Sequence, residues 1–412
     1  MTGVAQVGGH QGREQGLRVA LLSPCTWPEV RRGSERMFRD LGHGLVARGN
    51  RPWLITSHPG APGHSVEDGI EVTRNWRPPD GRLGRRAYEE YLTHAPFTYL
   101  SLLRGAADVA HASHAPDAVA GVRWSRRTGR PVVFSFMGIP ERRWLVARRA
   151  RLRFMLGAVR GCHAVVALSR HAARAFATDL GVEARVIRPG VDLDAFSPGG
   201  ERSPGPTIVC AASPDIPEKR VGLLVEALPH VRRSRAGTTL VLQRPRQEGL
   251  ARTLAEQEGV ELMEPDPSLL LDAYRRAWVS ALPSRSEAFG LVLAESLACG
   301  TPVVGAHRGA IPELIDRPEV GRTFAVDDPR AVALALVEAL ELAQDPATAS
   351  HCRRRATEVS VDRMVEAYES LYRELTEVSH HAPRPTPARS HPVRWPGHPP
   401  PGPGPVAAQA AG

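Results

Sequence analysis

Two glutamates flank a predicted turn between a strand and a helix in residues 281–305, ALPSRSEAFGLVLAESLACGTPVVG. Glu287 precedes Gly290, where a helix is predicted to begin, and Glu295 lies within that helix, which we expect to end at Gly300. The first amides of a helix, aided by its dipole, form an anion site that suits a diphosphate. Carboxylates accept hydrogen bonds in pairs, and the vicinal hydroxyls of a sugar or ribose supply such pairs of donors.

The chain contains one lysine, Lys219, among its 53 basic side chains. A compact ammonium fits between phosphate oxygens where a flat guanidinium presents a different geometry. The alternative is a lysine retained by chance on a solvated loop. Helix amides, one lysine and two carboxylates together suit a nucleotide diphosphate sugar: the amides and Lys219 take the phosphates, one glutamate takes sugar hydroxyls and the other takes ribose hydroxyls.

The elements that must position these residues are short apolar runs that alternate with helix-like stretches along most of the chain. This alternation predicts parallel sheets covered by helices, and therefore an α/β fold. A segment rich in proline, glycine and serine at 194–206 predicts a linker, after which the alternation starts again. We therefore expect two doubly wound α/β halves.

The stretch PSRSEAFGLVLAESLACGTPVV resembles the signature of glycosyltransferase family 4, whose members are retaining enzymes of the GT-B fold and carry two glutamates separated by seven residues. Three further stretches resemble family motifs: GSERMFRDLGHGLVARGN, VIRPGVDLDAF and GAIPELI. The resemblance covers residues 17–378. It implies two Rossmann-like domains that face each other across a cleft.

With this resemblance the chain divides into five predicted parts: a disordered N-terminus at 1–16, an acceptor-side domain at 17–196, a nucleotide-sugar-binding domain at 197–360, a last helix at 361–378 that packs on the first domain, and a disordered, proline-rich tail at 379–412.

The resemblance implies a role for each candidate residue. Glu287 would hold hydroxyls of the donor sugar, Lys219 would face the diphosphate, and Glu295 would bind the ribose. The remaining candidates are three residues that use backbone groups, Phe289, Gly290 and Leu291; two on the donor side, Ser213 and Arg220; and three on the acceptor side or in the phosphate loop, Gly33, Ser34 and His111. For His111 the alternative is a histidine of the core or of a loop. Ser34 stands where the family has a second glycine, and it offers an amide and a hydroxyl.

Two departures from the family pattern concern charge and acceptor chemistry. The family has an arginine a few residues before the lysine, where this chain has Ser213 and Pro214. Either Arg220 or Arg244 replaces that arginine, or the leaving group is held less strongly. Many relatives also have a histidine near the reacting sugar, at the position occupied here by Met137.

Composition limits the other classes of function. The formal net charge is +9, and the five cysteines are far apart and form no C-x-x-C pair. The positive charge is consistent with phosphorylated substrates, with an anionic membrane surface or with codon usage that favours arginine. No sequence motif indicates that the protein binds nucleic acid. No apolar run is long enough to cross a membrane and no signal peptide is recognisable, so we expect a cytoplasmic protein with reduced thiols. No metal or other cofactor is expected.

One basic segment, ERRWLVARRARLRFMLGAVRG at 141–161, combines seven arginines with an apolar side that includes Trp144, Leu152 and Met155. It predicts either a half-buried helix or a peripheral contact with an anionic membrane.

The function implied by these observations is retaining transfer of a hexose from a GDP- or UDP-linked sugar to a lipid, a polysaccharide or a small molecule. Two alternatives stay open. A sugar-nucleotide epimerase or a phosphorylase has a similar two-domain shape but lacks the paired glutamates. A degenerate member of the family would bind nucleotide sugars, or act as a scaffold, without turnover.

Overall fold

The computed structural model describes residues 16–30, 32–86 and 88–381, and these form two parallel-stranded domains. Most of the predicted disordered ends, residues 1–15 and 382–412, lie outside the described residues. The domains follow each other along the chain, and the last helix returns to the first of them.

The first domain is built on a sheet of eight strands in the order β3-β4-β2-β1-β5-β6-β7-β8. Its strands are β1 (Arg18–Leu22), β2 (Arg51–His58), β3 (Gly63–Glu67), β4 (Ile70–Trp76), β5 (Val109–Ala112), β6 (Val132–Phe136), β7 (Ala164–Ala167) and β8 (Arg185–Val186). All neighbouring strands pair in parallel except β3, which forms an antiparallel hairpin with β4.

The second domain is built on a fully parallel sheet of six strands in the order β11-β10-β9-β12-β13-β14. Its strands are β9 (Thr207–Cys210), β10 (Thr239–Gln243), β11 (Val260–Met263), β12 (Val279–Leu282), β13 (Val303–Ala306) and β14 (Gly321–Phe324). Four central strands of the two sheets, β5, β7, β12 and β13, are buried at every position, as expected for parallel strands covered on both faces.

Helices connect the strands and cover the sheets. Those of the first domain are α1 (Gly33–Ala47), α2 (Gly81–Arg85), α3 (Ala95–Arg104), α4 (Ala115–Thr128), α5 (Arg142–Val146), α6 (Arg151–Gly161) and α7 (Arg170–Ala175). Those that follow are α8 (Gly222–Ser234), α9 (Glu248–Ala255), α10 (Pro267–Arg276), α11 (Leu291–Ala298), α12 (Ile311–Leu314), α13 (Pro329–Leu342), α14 (Thr348–Thr357) and α15 (Val361–His381).

The last helix, α15, packs on the first domain and extends three residues beyond the predicted end at 378. Its Tyr368 and Tyr372 are fully buried, and Glu369 bonds to the side chain of Asn50 at 2.9 Å. A β-carbon at Gly44 of α1 would come within 2.4 Å of Val365 Cγ2, so the two helices lie in close contact.

The chain crosses between the domains twice, once after β8 and once before α15, and the two crossings are hydrogen-bonded to each other. The amide of Val191 donates to the carbonyl of Val359 at 2.9 Å, and the amide of Val361 donates to the carbonyl of Val191 at 3.0 Å. Val191 and Ser360 thus form a parallel bridge. The paired crossings join the domains at one place, and loops at the carboxyl ends of strands from both sheets line the cleft.

Candidate functional site

The turn between β12 and α11 has a conformation that needs glycine. Gly290 precedes α11 with a φ of 95°, in the left-handed region that residues with a β-carbon rarely adopt. Its carbonyl accepts the amide of Leu293 at 2.9 Å, so the helix starts directly after it. The first turn of α11 contains no acidic residue, so its amides and dipole leave a positive end directed at the cleft.

Lys219 and Glu287 are brought together from the loops that follow two neighbouring strands, β9 and β12. Lys219 ends a single 3-10 turn after β9, and its Nζ lies 2.7 Å from Oε2 of Glu287, although 68 positions separate the two residues. Their side chains are 29% and 15% exposed, so the ion pair is partly shielded from water. The solitary ammonium therefore lies beside the turn that leads into α11.

Glu295, within α11, is almost completely buried and has two partners. Arg36, from α1 of the first domain, places Nη1 2.6 Å from Oε1, and the hydroxyl of Tyr274 donates to Oε2 at 3.1 Å. Burial raises the pKa of Glu295 above its ordinary value, and the guanidinium of Arg36 opposes that rise. Burial, reinforced by the carboxylate of Glu295, also raises the pKa of Tyr274, which keeps its hydroxyl as a hydrogen-bond donor.

A cavity of about 430 Å³ lies between the domains and collects most of the predicted residues. From the first domain its wall includes the start of α1 and the ends of β6 and β7, and from the second it includes the turn into α11. The residues that line it are Trp27, Arg32, Gly33, Ser34, Arg36, Met37, Met137, Leu168, Pro189, Lys219, Leu270, Glu287, Ala288, Phe289, Gly290, Leu291, Val292 and Glu295. Most of the sequence-predicted site residues therefore share one hollow with Met137.

A second cavity, of about 470 Å³, adjoins the first and shares Trp27, Arg36 and Leu270 with it. Its other wall is formed by the ends of β10 and β11 and by the loop before α10, including Gln243 and Met263. Its volume falls in the range of small-molecule sites, and its wall includes Arg36, the partner of Glu295.

Gly33 and Ser34 begin α1 at the edge of the cleft, as the glycine-loop resemblance implies. A β-carbon at Gly33 would lie 3.9 Å from Leu291 Cδ2, so the start of α1 faces the start of α11 across the cavity. The hydroxyl of Ser34 donates to Glu35 Oε2 at 2.6 Å.

Two residues predicted to bind the donor, Ser213 and Arg220, do not line this cavity. Ser213 turns back to Asp215, with Oγ 3.2 Å from Oδ2. Arg220 adopts a left-handed φ of 54°, and its Nη2 lies 2.8 Å from Asp327 Oδ1. Arg244, the other suggested replacement for the family arginine, pairs with Glu248 at 2.9 Å on the surface. Arg220 and Arg244 thus each pair with a carboxylate, and neither lines the cavity beside the turn into α11.

His111 is not an acceptor or phosphate ligand in this structure, because it is fully buried in β5. Its Nδ1 lies 2.6 Å from the hydroxyl of Tyr372 and its Nε2 lies 2.7 Å from the hydroxyl of Ser135. Burial lowers the pKa of His111 to about 3, so the ring is neutral. The ring also packs on Phe38 and Tyr368 at 4.9 Å between ring centroids, and it joins α15 to the first sheet.

Sequence reasoning missed three residues of the site. Trp27 and Arg36 line both cavities, and Tyr274 bonds to Glu295. Arg36 directly follows Glu35 in the glycine-loop helix, and this position was its only signal among many arginines. Tyr274 is the buried residue of α10, so in the sequence it resembles any core aromatic residue. Its contact with Glu295 becomes visible only in the structure.

The basic segment at 141–161 forms two helices, α5 and α6, separated at Ala150, which has a φ of 61°. Its apolar side faces the core: Leu145 and Met155 are fully buried. Arg151 is also buried, pairs with Glu89, and stacks on Trp144 at 3.9 Å. The segment is thus half-buried, as the first alternative predicts, and Leu145 and Met155 are not available for insertion into lipid.

Among the described residues, no helix combines the length and apolar character that crossing a bilayer requires. Within the same residues, no cluster of three or more histidine, cysteine, aspartate or glutamate side chains is arranged to hold a metal ion.

Two protein-family models match the chain. One, described as Glycosyltransferase Family 4, matches residues 31–195, and one, described as Glycosyl transferases group 1, matches residues 205–342. Together the two matched regions follow the division into two domains.

Similar curated proteins are named D-inositol 3-phosphate glycosyltransferase. The chain is 32% identical to that of Nocardiopsis dassonvillei over 283 residues, which cover 59% of this chain and 65% of the relative. It is 32% identical to that of Saccharomonospora viridis over 216 residues, which cover 46% of this chain and 50% of the relative. The chain thus spans one half to two thirds of the length of these relatives.

Similar solved structures share the fold at low sequence identity. Sucrose-phosphate synthase from Thermosynechococcus elongatus superposes with a TM-score of 0.71 and 18% identity, over 88% of this chain and 100% of that one. Anabaena HepE, in complex with UDP and glucose, superposes with a TM-score of 0.67 and 19% identity, over 87% of this chain and 100% of that one. The two-domain architecture expected from the motifs is therefore confirmed.

Proposed function

Because the chain belongs to glycosyltransferase family 4 and has the GT-B fold, we propose that it transfers a hexose from a GDP- or UDP-linked sugar to an acceptor, with retention of configuration. One observation carries the proposal: Lys219 lies 2.7 Å from Glu287 beside the start of α11, within a cavity walled by both domains. A cation, helix amides and a carboxylate thus surround one space, as a diphosphate sugar requires.

The donor occupies the two adjoining cavities. Its diphosphate lies against the amides at the start of α11, beside Lys219. Its sugar extends toward Glu287, which accepts hydroxyl hydrogen bonds, while the ribose hydroxyls reach Glu295. The base enters the adjoining cavity of about 470 Å³, which is lined by Arg36 and is large enough for a nucleoside.

Catalysis consists of positioning and of stabilising the charge on the leaving group. The bond between the anomeric carbon and the phosphate oxygen breaks, and the acceptor oxygen forms its bond on the same face. The acceptor proton passes to the departing diphosphate, so no separate base is required. The ammonium of Lys219 and the amides of α11 stabilise the negative charge that develops on the diphosphate.

We also propose that this reaction needs no metal ion, since Lys219 and the helix amides already place positive charge at the diphosphate. Activity that persists in a chelator such as EDTA supports this point. Activity that is lost in the chelator and returns with added magnesium contradicts it.

The acceptor lies against the first domain and is a lipid, a polysaccharide or a small molecule. The curated relatives are named for an inositol phosphate, so this compound belongs among the acceptors to be tried. If the acceptor is a lipid, the protein reaches an anionic membrane through exposed arginines of α5, α6 and the turn between them, such as Arg143, Arg149 and Arg153, and not by burying apolar side chains.

The proposal is tested by incubating the purified protein with UDP-glucose, UDP-N-acetylglucosamine and GDP-mannose, with and without D-inositol 3-phosphate, and measuring the released nucleoside diphosphate. We expect release with at least one donor, and its loss in Glu287→Ala and in Lys219→Ala. Binding of nucleotide sugars without turnover on any acceptor would instead favour a binding protein. No binding of any nucleotide sugar would overturn the proposal.

A further inference from the structure

We propose that Arg36, a residue of the first domain, is the second cation of the donor site and exchanges its partner from Glu295 to the donor diphosphate when the donor binds. This inference rests on the proposed function. It identifies a diphosphate ligand on the opposite domain from Lys219.

The position of Arg36 is the first reason. It lines both the cavity of about 430 Å³ and the cavity of about 470 Å³. A nucleotide sugar that places its sugar in the first cavity and its base in the second must place its diphosphate between them. Arg36 is 15% exposed, and its guanidinium carbon lies 4.9 Å from the ring centre of Phe196, which holds the side chain at this junction.

The partners of Glu295 are the second reason. One carboxylate oxygen accepts from Arg36 and the other accepts from Tyr274. Ribose hydroxyls that bind Glu295 compete with one of these donors. Tyr274 is fully buried and has no route to a new partner, whereas Arg36 borders open space. The guanidinium is therefore the donor that the ribose displaces.

The charge left by this displacement is the third reason. An arginine so little exposed needs an anionic partner. The side chain of Asp40 offers only a weak replacement: its Oδ2 lies 3.7 Å from Nε of Arg36, too far for a good hydrogen bond, while its other oxygen, Oδ1, accepts from Arg39 at 2.7 Å. A diphosphate in the adjoining space offers the oxygens that match the planar donors of a guanidinium.

On this proposal the pairs Lys219–Glu287 and Arg36–Glu295 both exchange partners when the donor binds. In the structure Glu287 holds Lys219 and Glu295 holds Arg36. With the donor bound, the two carboxylates accept hydroxyls and the two cations face phosphate oxygens. Arg220 pairs with Asp327 and Arg244 with Glu248, and neither lines the two cavities, whereas Arg36 lines both and supplies the guanidinium at their junction.

The test compares a nucleoside diphosphate with its parent nucleoside by isothermal titration calorimetry. The probe is whichever of UDP, GDP and ADP the wild-type protein binds best. For Arg36→Gln we expect the affinity for the diphosphate to fall about tenfold or more, because a charge-assisted contact is lost. The affinity for the nucleoside should stay unchanged or rise, because its ribose no longer displaces a cation from Glu295.

Arg188→Gln is the matched control, because Arg188 also pairs across the domains, with Glu313 at 3.2 Å, but lies outside both cavities. It should leave both affinities within about twofold, as expected for a partly exposed ion pair. Arg36→Lys keeps a positive charge and should restore part of the preference for the diphosphate.

Three results would overturn the inference: equal losses for diphosphate and nucleoside in Arg36→Gln, no loss for either, or an Arg36→Lys variant that behaves like Arg36→Gln. A wild-type protein that binds no nucleoside diphosphate would overturn the proposed function instead, and the two failures are thereby distinguished. Thermal unfolding without nucleotide shows whether each variant is folded before it is titrated.

Discussion

Arg36 of the first domain and Glu295 of the second meet across the cleft, with Nη1 and Oε1 2.6 Å apart. The two residues are 259 positions apart in sequence, and Glu295 is 3% exposed. A buried carboxylate of one domain is thus paired with a guanidinium of the other. The proposed donor site is consequently shared by both domains.

Replacing Lys219 should affect turnover more than folding. In Lys219→Ala the developing charge on the diphosphate loses its ammonium, and we expect kcat to fall about 10²- to 10³-fold, as when one preorganised donor to an oxyanion is removed. The measurement is steady-state release of nucleoside diphosphate. Arg244→Ala is the control, since Arg244 pairs with surface carboxylates. Equal losses in both variants would contradict the role of Lys219.

The pair of Lys219 and Glu287 should act as one unit. A double-mutant cycle of Lys219→Ala and Glu287→Gln should give a combined loss of kcat/KM smaller than the product of the two single losses, because each single variant already breaks the 2.7 Å contact. Strictly multiplicative losses would show that the two side chains act independently.

Gly290→Ala should destabilise the turn into α11. A φ of 95° is strained for alanine, and we expect a loss of about 1–2 kcal/mol in the free energy of unfolding together with weaker binding of nucleoside diphosphate. Gly222→Ala is the matched control, because Gly222 begins α8 and a β-carbon there meets nothing within 4 Å. Denaturant unfolding measures the stability of both variants. Equal free energies of unfolding for Gly290→Ala and Gly222→Ala would contradict the strain argument.

His111 should make stability depend on pH. Burial lowers its pKa to about 3 in the folded protein, whereas an unfolded histidine titrates near 6.5, so the unfolded state binds more protons between these values. The free energy of unfolding should therefore fall as pH falls from about 6.5. In His111→Phe the free energy of unfolding at pH 7 should be lower than in the wild type. Its further decrease between pH 6.5 and pH 5 should, however, be smaller than the decrease in the wild type.

The comparison for His111 is His64→Gln, at an exposed position of the β3–β4 hairpin. Urea unfolding at several pH values should show the wild-type slope in this control. An unchanged slope in His111→Phe would mean that another group carries the acid sensitivity.

Contact with an anionic membrane should depend on charge alone. Replacing Arg143, Arg149 and Arg153 together by glutamine should reduce co-sedimentation with phosphatidylglycerol vesicles, and added salt should do the same. A variant with Arg232, Arg252 and Arg276 replaced, which changes net charge equally in the second domain, is the control. Equal partitioning of both variants would rule out this surface.

The sequence was sufficient for elements whose signals are local. The run that ends in β12, the glycine at position 290 and the glutamates on either side of it lie within a few residues, so the turn and its chemistry could be predicted. Lys219 was recognised because it is the only lysine. Arg36 could not be recognised in the same way, because its contact with Glu295 depends on how two domains pack.

The structure also differs from the sequence-based expectation at His111 and at the β3–β4 hairpin, and both differences have physical causes. His111 lies inside the sequence DVAHASH, and only the packing of α15 shows that both ring nitrogens are used by hydroxyls. The hairpin of β3 and β4 was overlooked although Asp68-Gly69 is a strong turn signal, with φ values of 48° and 82°. Its strand β3 is mostly exposed and polar, so it lacked the apolar run by which the other strands were identified.

The two crossings joined at Val191 and Val361 have a mechanical consequence. Segments bonded side by side bend as one joint, so the second domain should swing about a single axis and not slide along the first. Such a swing separates Arg36 from Glu295 without disturbing the tyrosines of α15, which travel with the first domain. If the proposed function holds, such a joint would let product leave and the next donor enter while both halves keep their own architecture.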